Sequence, residues 1–122
     1  MVIRIAYVVL SVCGSMALIL GLVLWYKIAP NLVPMHMLMG LLAVGSLWVI
    51  GIGQGIERGG SWILAAVAIM VGIAMIGLGM TQSSILVGEY HWMIQVLHLL
   101  LGVLVIGIGH MSAARYRRGS IR

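Results

Sequence analysis

Phenylalanine is absent from this chain of 122 residues, acids number two and cysteine one, and charged residues of every kind make up 7%. A soluble domain carries roughly a quarter charged residues, so this shortage excludes an ordinary water-facing surface. The two acids, Glu57 and Glu89, stand at or beyond the ends of apolar runs, and no run interior has a carboxylate to carry protons or bind a cation. The lone Cys13 falls inside the first run, cannot form an internal disulfide, and reads as a small buried apolar residue. Catalytic constellations are missing as well. No Ser-His-Asp or Cys-His set can be assembled and no HExxH occurs. Gly51-Ile52-Gly53-Gln54-Gly55 lacks the Lys-Ser/Thr of a phosphate loop. No catalytic residue and no autonomous enzyme is therefore expected.

What the chain has in abundance is apolar residues, at 63% with a mean hydropathy of +1.21. This predicts an all-α integral membrane protein. The runs are solidly apolar and lack the alternation of a transmembrane barrel. Four of them, at about 5–26, 32–54, 62–80 and 89–112, are long enough to span a bilayer of about 30 Å. Connections this short make consecutive helices antiparallel neighbours, so the fold expected is a single-domain antiparallel four-transmembrane-helix bundle. Pro34 sits in the first turn of the second span, where its missing N–H is harmless. A secretory signal is not expected at the N-terminus, because the run from Ile5 to Tyr26 is too long and no A-x-A-like site follows it. Small residues recur along each span: Gly14 and Gly21, Gly40 and Gly51, Ala68, Gly72 and Gly79, Gly102 and Gly109. In lipid, such stripes let helices approach closely.

The formal charge of +5 is distributed unevenly. Arg4, Arg58, Arg115, Arg117, Arg118 and Arg122 fall on one side of the four runs and Lys27 alone on the other. That bias predicts a multi-pass protein of the cell (inner) membrane with both termini in the cytoplasm, residues 113–122 forming a basic cytoplasmic tail. Trp25, Tyr26, Tyr90 and Trp92 mark the outer boundary, and Tyr7, Trp62 and Tyr116 the inner one. The arginines are placed to orient the chain and touch anionic lipid, so nucleic acid is not an expected partner.

Four histidines carry the remaining chemistry. On the last span, His91, Gln95, His98, Gly102, Val105 and Gly109 share one helical stripe. Ionisable groups inside a span are functional candidates by default. His36 lies near the outer end of the second span, and counting back from the cytoplasmic arginines places it within about a turn of His98. A faint internal repeat leaves the register open. His36-Met37-Leu38-Met39-Gly40 matches His98-Leu99-Leu100-Leu101-Gly102, whereas aligning Val49–Gly53 on Val105–Gly109 favours His91 as the partner of His36. Imidazole is a usual axial ligand of haem, and bundle cores are a usual place to present it. His36 and His98 are thus candidate axial ligands of one b-type haem, with His91 as the alternative partner. Gly40 and Gly102, one turn after each histidine, would leave room for the macrocycle. The two HxxxG pairs resemble those of membrane-bound b-type cytochromes, a resemblance confined to two five-residue stretches.

Met35, Met37 and Met39 suggest thioether ligation of copper, but on one helix only Met35 and Met39 share a face. With almost no extramembrane mass, the chain is expected to be a non-catalytic subunit of a larger membrane complex, an electron-transfer complex if haem is bound. Its partners would be other membrane-protein subunits, in a homo- or hetero-oligomer, and membrane lipids. The competing expectations are a cofactor-free assembly subunit whose histidines are hydrogen-bonding glue, and, more weakly, a small proton or metal transporter using His91, Gln95 and His98.

Overall fold

In the computed structural model, which describes residues 1–119, four α-helices carry the chain: α1 (Val2–Trp25), α2 (Val33–Ile56), α3 (Trp62–Thr81) and α4 (His91–Gly119). Short 3-10 turns occupy Pro30–Leu32 and Gln82–Ser84, and there is no strand among the described residues. Each helix is long and apolar enough to cross a membrane. Ser120, Ile121 and Arg122 lie outside the described residues, and with them the end of the basic segment 113–122. The rest of that segment continues α4 without a break to Gly119.

Local chemistry sets the helix ends. α1 closes in a Schellman arrangement in which the N–H of Lys27 donates to the Leu24 carbonyl at 2.9 Å and that of Ile28 to the Val23 carbonyl at 3.2 Å. The residue at the left-handed position is Lys27, at φ 55°, where glycine is usual. Pro34 stands in the first turn of α2. The turn from α2 to α3 is clamped by Gln54, only 1% exposed. Its Nε2 donates to the Ser61 carbonyl at 2.7 Å, and its Oε1 accepts from the Ser61 N–H at 3.3 Å. Ser61 in turn caps α3, its hydroxyl accepting from the Leu64 N–H at 3.2 Å. Gly60 is required here, because the carbonyls of Gln54, Gly55 and Glu57 crowd the place a side chain would take.

α2 and α4 pack on each other and on both remaining helices, while α1 and α3 make no comparable contact and stand at the far corners. Contacts at the glycines fix the directions. On α1 and α4, Leu10 lies on Gly109, Ile106 on Gly14 and Leu18 on Gly102, so those two helices run oppositely. On α2 and α3, Trp48 lies on Gly72 and Ala68 on Gly51, with the same result. The buried centre is made of Leu10, Val44, Leu47, Ile50, Ala68 and Val105, joined by Ile108 and Ala113. Outward-facing residues are equally apolar: Val8, Val12 and Ile19 on α1, Leu38 and Leu41 on α2, Ile63 and Met70 on α3, Leu97, Leu100 and Val103 on α4. An apolar belt on all sides is far larger than the patches soluble monomers expose.

Candidate functional site

His36 enters the structure on the first turns of α2, directed at α1. Its Nδ1 lies 3.0 Å from the carbonyl of Ala17. A carbonyl can only accept, so Nδ1 carries the hydrogen, and the lone pair of the neutral ring is left on Nε2. The approach depends on Gly21, one turn after Ala17 on α1, because a Cβ at that position would stand 3.2 Å from His36 Cε1. His98 is seated in the same way on the second hairpin. It comes from α4, and its Cε1 lies 3.1 Å from where a Cβ would be on Gly79 of α3. Its Nδ1 is shielded from solvent and has no hydrogen-bond partner among the described residues. An unpartnered buried nitrogen of this kind costs about 1–3 kcal/mol and calls for an explanation.

These two half-buried rings meet between the two hairpins, one turn in from the end of α1 and the start of α2. Their centroids are 6.0 Å apart and their planes inclined at 53°. The structure therefore brings His36 to His98. His91, the alternative partner, turns to the loop before α4, its Nδ1 3.3 Å from the Ile85 carbonyl. The two glycines expected to give clearance differ. Gly40 has nothing within 4 Å of the place a Cβ would take, whereas at Gly102 that place is 3.3 Å from Leu18 Cδ2 and 3.6 Å from Met75 Cε. Among the described residues no group of three or more His, Cys, Asp or Glu side chains gathers around the pair or elsewhere. Met35 and Met37 face outward, while Met39 packs against the buried centre, so the three thioethers do not converge.

His110 belongs to a separate arrangement at the opposite end. Its Nδ1 lies 3.2 Å from the Tyr7 hydroxyl and its Nε2 3.4 Å from that of Ser11. The Tyr7 and His110 rings meet edge to face at 5.0 Å, and Arg117 lies over Tyr7. Both nitrogens of His110 are thus engaged in joining α1 to α4. Sequence reasoning missed two parts of this picture. One is the Tyr7, Ser11 and His110 set, signalled only by two hydroxyls one turn apart at matching depth. The other is the role of Gly21 and Gly79 as the seats of the rings. Comparison of the chain with known protein families, with curated proteins and with solved structures gives no match.

Proposed function

We propose that this chain is a four-span protein of the cell (inner) membrane that holds one b-type haem between His36 and His98 and serves, without catalysing a reaction itself, as a subunit of a larger electron-transfer complex. The observation that carries the proposal is the meeting of the two imidazoles at a centroid separation of 6.0 Å. Metal–imidazole bonds are about 2 Å long, so two nitrogens on opposite sides of one iron put their ring centres roughly 6 Å apart. The number of donors agrees. A bare zinc or similar ion would want about four protein ligands, whereas a haem iron, already held by four porphyrin nitrogens, wants two. At His36 the bond from Nδ1 to Ala17 leaves Nε2 as the free ligand atom, which is how metal-bound histidines are commonly oriented. Gly40 faces open space, and the flexible ends of Leu18 and Met75 would swing aside for a macrocycle edge against Gly102. The iron would supply a one-electron ferric–ferrous couple. The protein's part is to fix the ligands and exclude water.

The membrane setting is supported by the apolar belt and by the gathering of Arg4, Arg58, Arg115, Arg117 and Arg118 toward one end of the helices, opposite Lys27. That bias supports cytoplasmic termini. A cofactor-free assembly subunit is the second reading, favoured by the bond from His36 to Ala17, which joins α1 to α2 without any metal. An absorption spectrum separates the two. Detergent-purified protein should show a reduced-minus-oxidised α-band at one haem per chain, lost in His36→Ala and in His98→Ala alike. A colourless preparation that takes up no hemin, and is stable only beside co-purifying subunits, would overturn the haem proposal in favour of the second reading.

A further inference from the structure

A cavity of about 300 Å³ opens at the arginine-rich end, between the α2–α3 turn and the last turns of α4, and it is lined by Arg58, Arg115 and Arg118 together with Gln54 and Glu57. Three arginines, all exposed, and one acid line it, an excess of two positive charges. No ion pair within 4 Å joins Glu57 to any of the three among the described residues. Arg118 uses its Nε on the Ala114 carbonyl at 3.4 Å, which leaves its terminal nitrogens for a ligand. Both walls belong to defined elements of the fold. Gln54 clamps Ser61 on one side, and on the other the arginines ride on a helix that is unbroken to Gly119. The guanidinium fork suits phosphate oxygens in a bidentate manner that lysine cannot reproduce, and every basic residue of this cavity is arginine. Arg117, between two of them in sequence, is turned away over Tyr7, so the cavity set is a selection from the basic segment and not the whole of it.

We infer that this cavity binds a single phosphate group, that of an anionic phospholipid headgroup or of a soluble phosphate compound. It lies at the end of helices whose sides are apolar, where a headgroup phosphate would sit while its acyl chains run down the protein surface. The net charge suffices for one phosphate, singly charged as a lipid diester and up to doubly charged as a monoester, and does not favour a cluster of anions. The inference rests on the membrane setting but not on haem, and the colour of the protein plays no part in its test.

The probes are nanodiscs of phosphatidylcholine alone, nanodiscs with one-fifth phosphatidylglycerol, and inorganic phosphate. Native mass spectrometry of wild-type protein released from the mixed nanodiscs should retain one phosphatidylglycerol, enriched about fourfold over its share. The variant Arg58→Gln/Arg115→Gln/Arg118→Gln should lose that enrichment, while Arg4→Gln keeps it. Replacing the three arginines by lysine should leave only a part. Competition by millimolar inorganic phosphate, with no lipid enrichment, would identify the soluble source instead. No enrichment and no phosphate competition in wild type, or equal retention in the triple glutamine variant and Arg4→Gln, would overturn the inference. The wild-type arms decide it even if the triple variant fails to fold.

Discussion

A glycine beneath each imidazole is the smallest feature on which the proposed site depends. At Gly21 and Gly79 a methyl group would press on the Cε1 edge of His36 and of His98, at 3.2 and 3.1 Å, and the ring would have to move by a few tenths of an ångström. Ligand-orienting contacts of this kind are worth about 10–100-fold in metal affinity. Gly21→Ala and Gly79→Ala are therefore expected to weaken hemin binding by about tenfold, measured by titration, with little change in unfolding of the haem-free protein. Gly40→Ala discriminates further. Its methyl group meets no protein atom within 4 Å, so a loss of haem in that variant, with unchanged stability of the empty protein, would locate the macrocycle beside Gly40. Normal binding would place it elsewhere. At this scale the sequence revealed the histidines and the glycine one turn after each, because both signals are local. The seats at Gly21 and Gly79 were hidden, since each belongs to the preceding helix and no periodicity within one helix points across to another. The partner of His36 was ambiguous for a similar reason: the repeat offered two registers, and only packing chooses between them.

Helices in lipid gain little from burying one apolar face when the opposite face is apolar too, so close fit must hold them together. The glycines divide sharply by this criterion. A side chain on Gly109 would overlap Leu10, a wholly buried residue, and one on Gly72 would overlap the Trp48 indole and approach Val44 Cγ1 to 2.8 Å. Gly45 and Gly107 meet nothing within 4 Å. Gly109→Ala and Gly72→Ala should each cost about 1–3 kcal/mol through overpacking, whereas Gly45→Ala and Gly107→Ala should be neutral or gain up to about 1 kcal/mol of helix propensity. Reversible unfolding in mixed micelles reads both, and equal effects at all four positions would disprove packing control. Gln54→Ala should cost a further ~1–3 kcal/mol, because the N–H and carbonyl of Ser61 lose their buried partner. Helix number and approximate extent were readable from uninterrupted apolar runs. The continuation of α4 through Arg115, Arg117 and Arg118 was not, because charge suggested a tail while nothing in those residues opposes a helix.

For the whole molecule, charge asymmetry is the physical handle on orientation. Arginines are costly to move through hydrocarbon, and those within a few turns of span ends dominate the choice of side. The loop before α4 should then face away from the cytoplasm, and the α2–α3 turn toward it. In a Cys13→Ser background, which removes the only cysteine, Val87→Cys should react with a membrane-impermeant maleimide in intact cells, and Gly59→Cys only after lysis. Both sites are exposed, Val87 at 77% and Gly59 in the α2–α3 turn with nothing within 4 Å of its would-be Cβ, so failure to label would report sidedness and not burial; at φ 77° a cysteine strains that turn, and the thermal unfolding of the variant is measured beside its labelling. Glu57 weakens the bias at the α2–α3 turn, yet acids contribute little to orientation, so Glu57→Gln should leave the labelling pattern unchanged. Moving the bias should move the protein: neutralising Arg115, Arg117 and Arg118 while adding arginines between residues 84 and 90 is expected to produce a mixed or inverted population. Unaltered labelling after that exchange would mean that something other than loop charge, such as assembly with a partner subunit, fixes which end faces the cytoplasm.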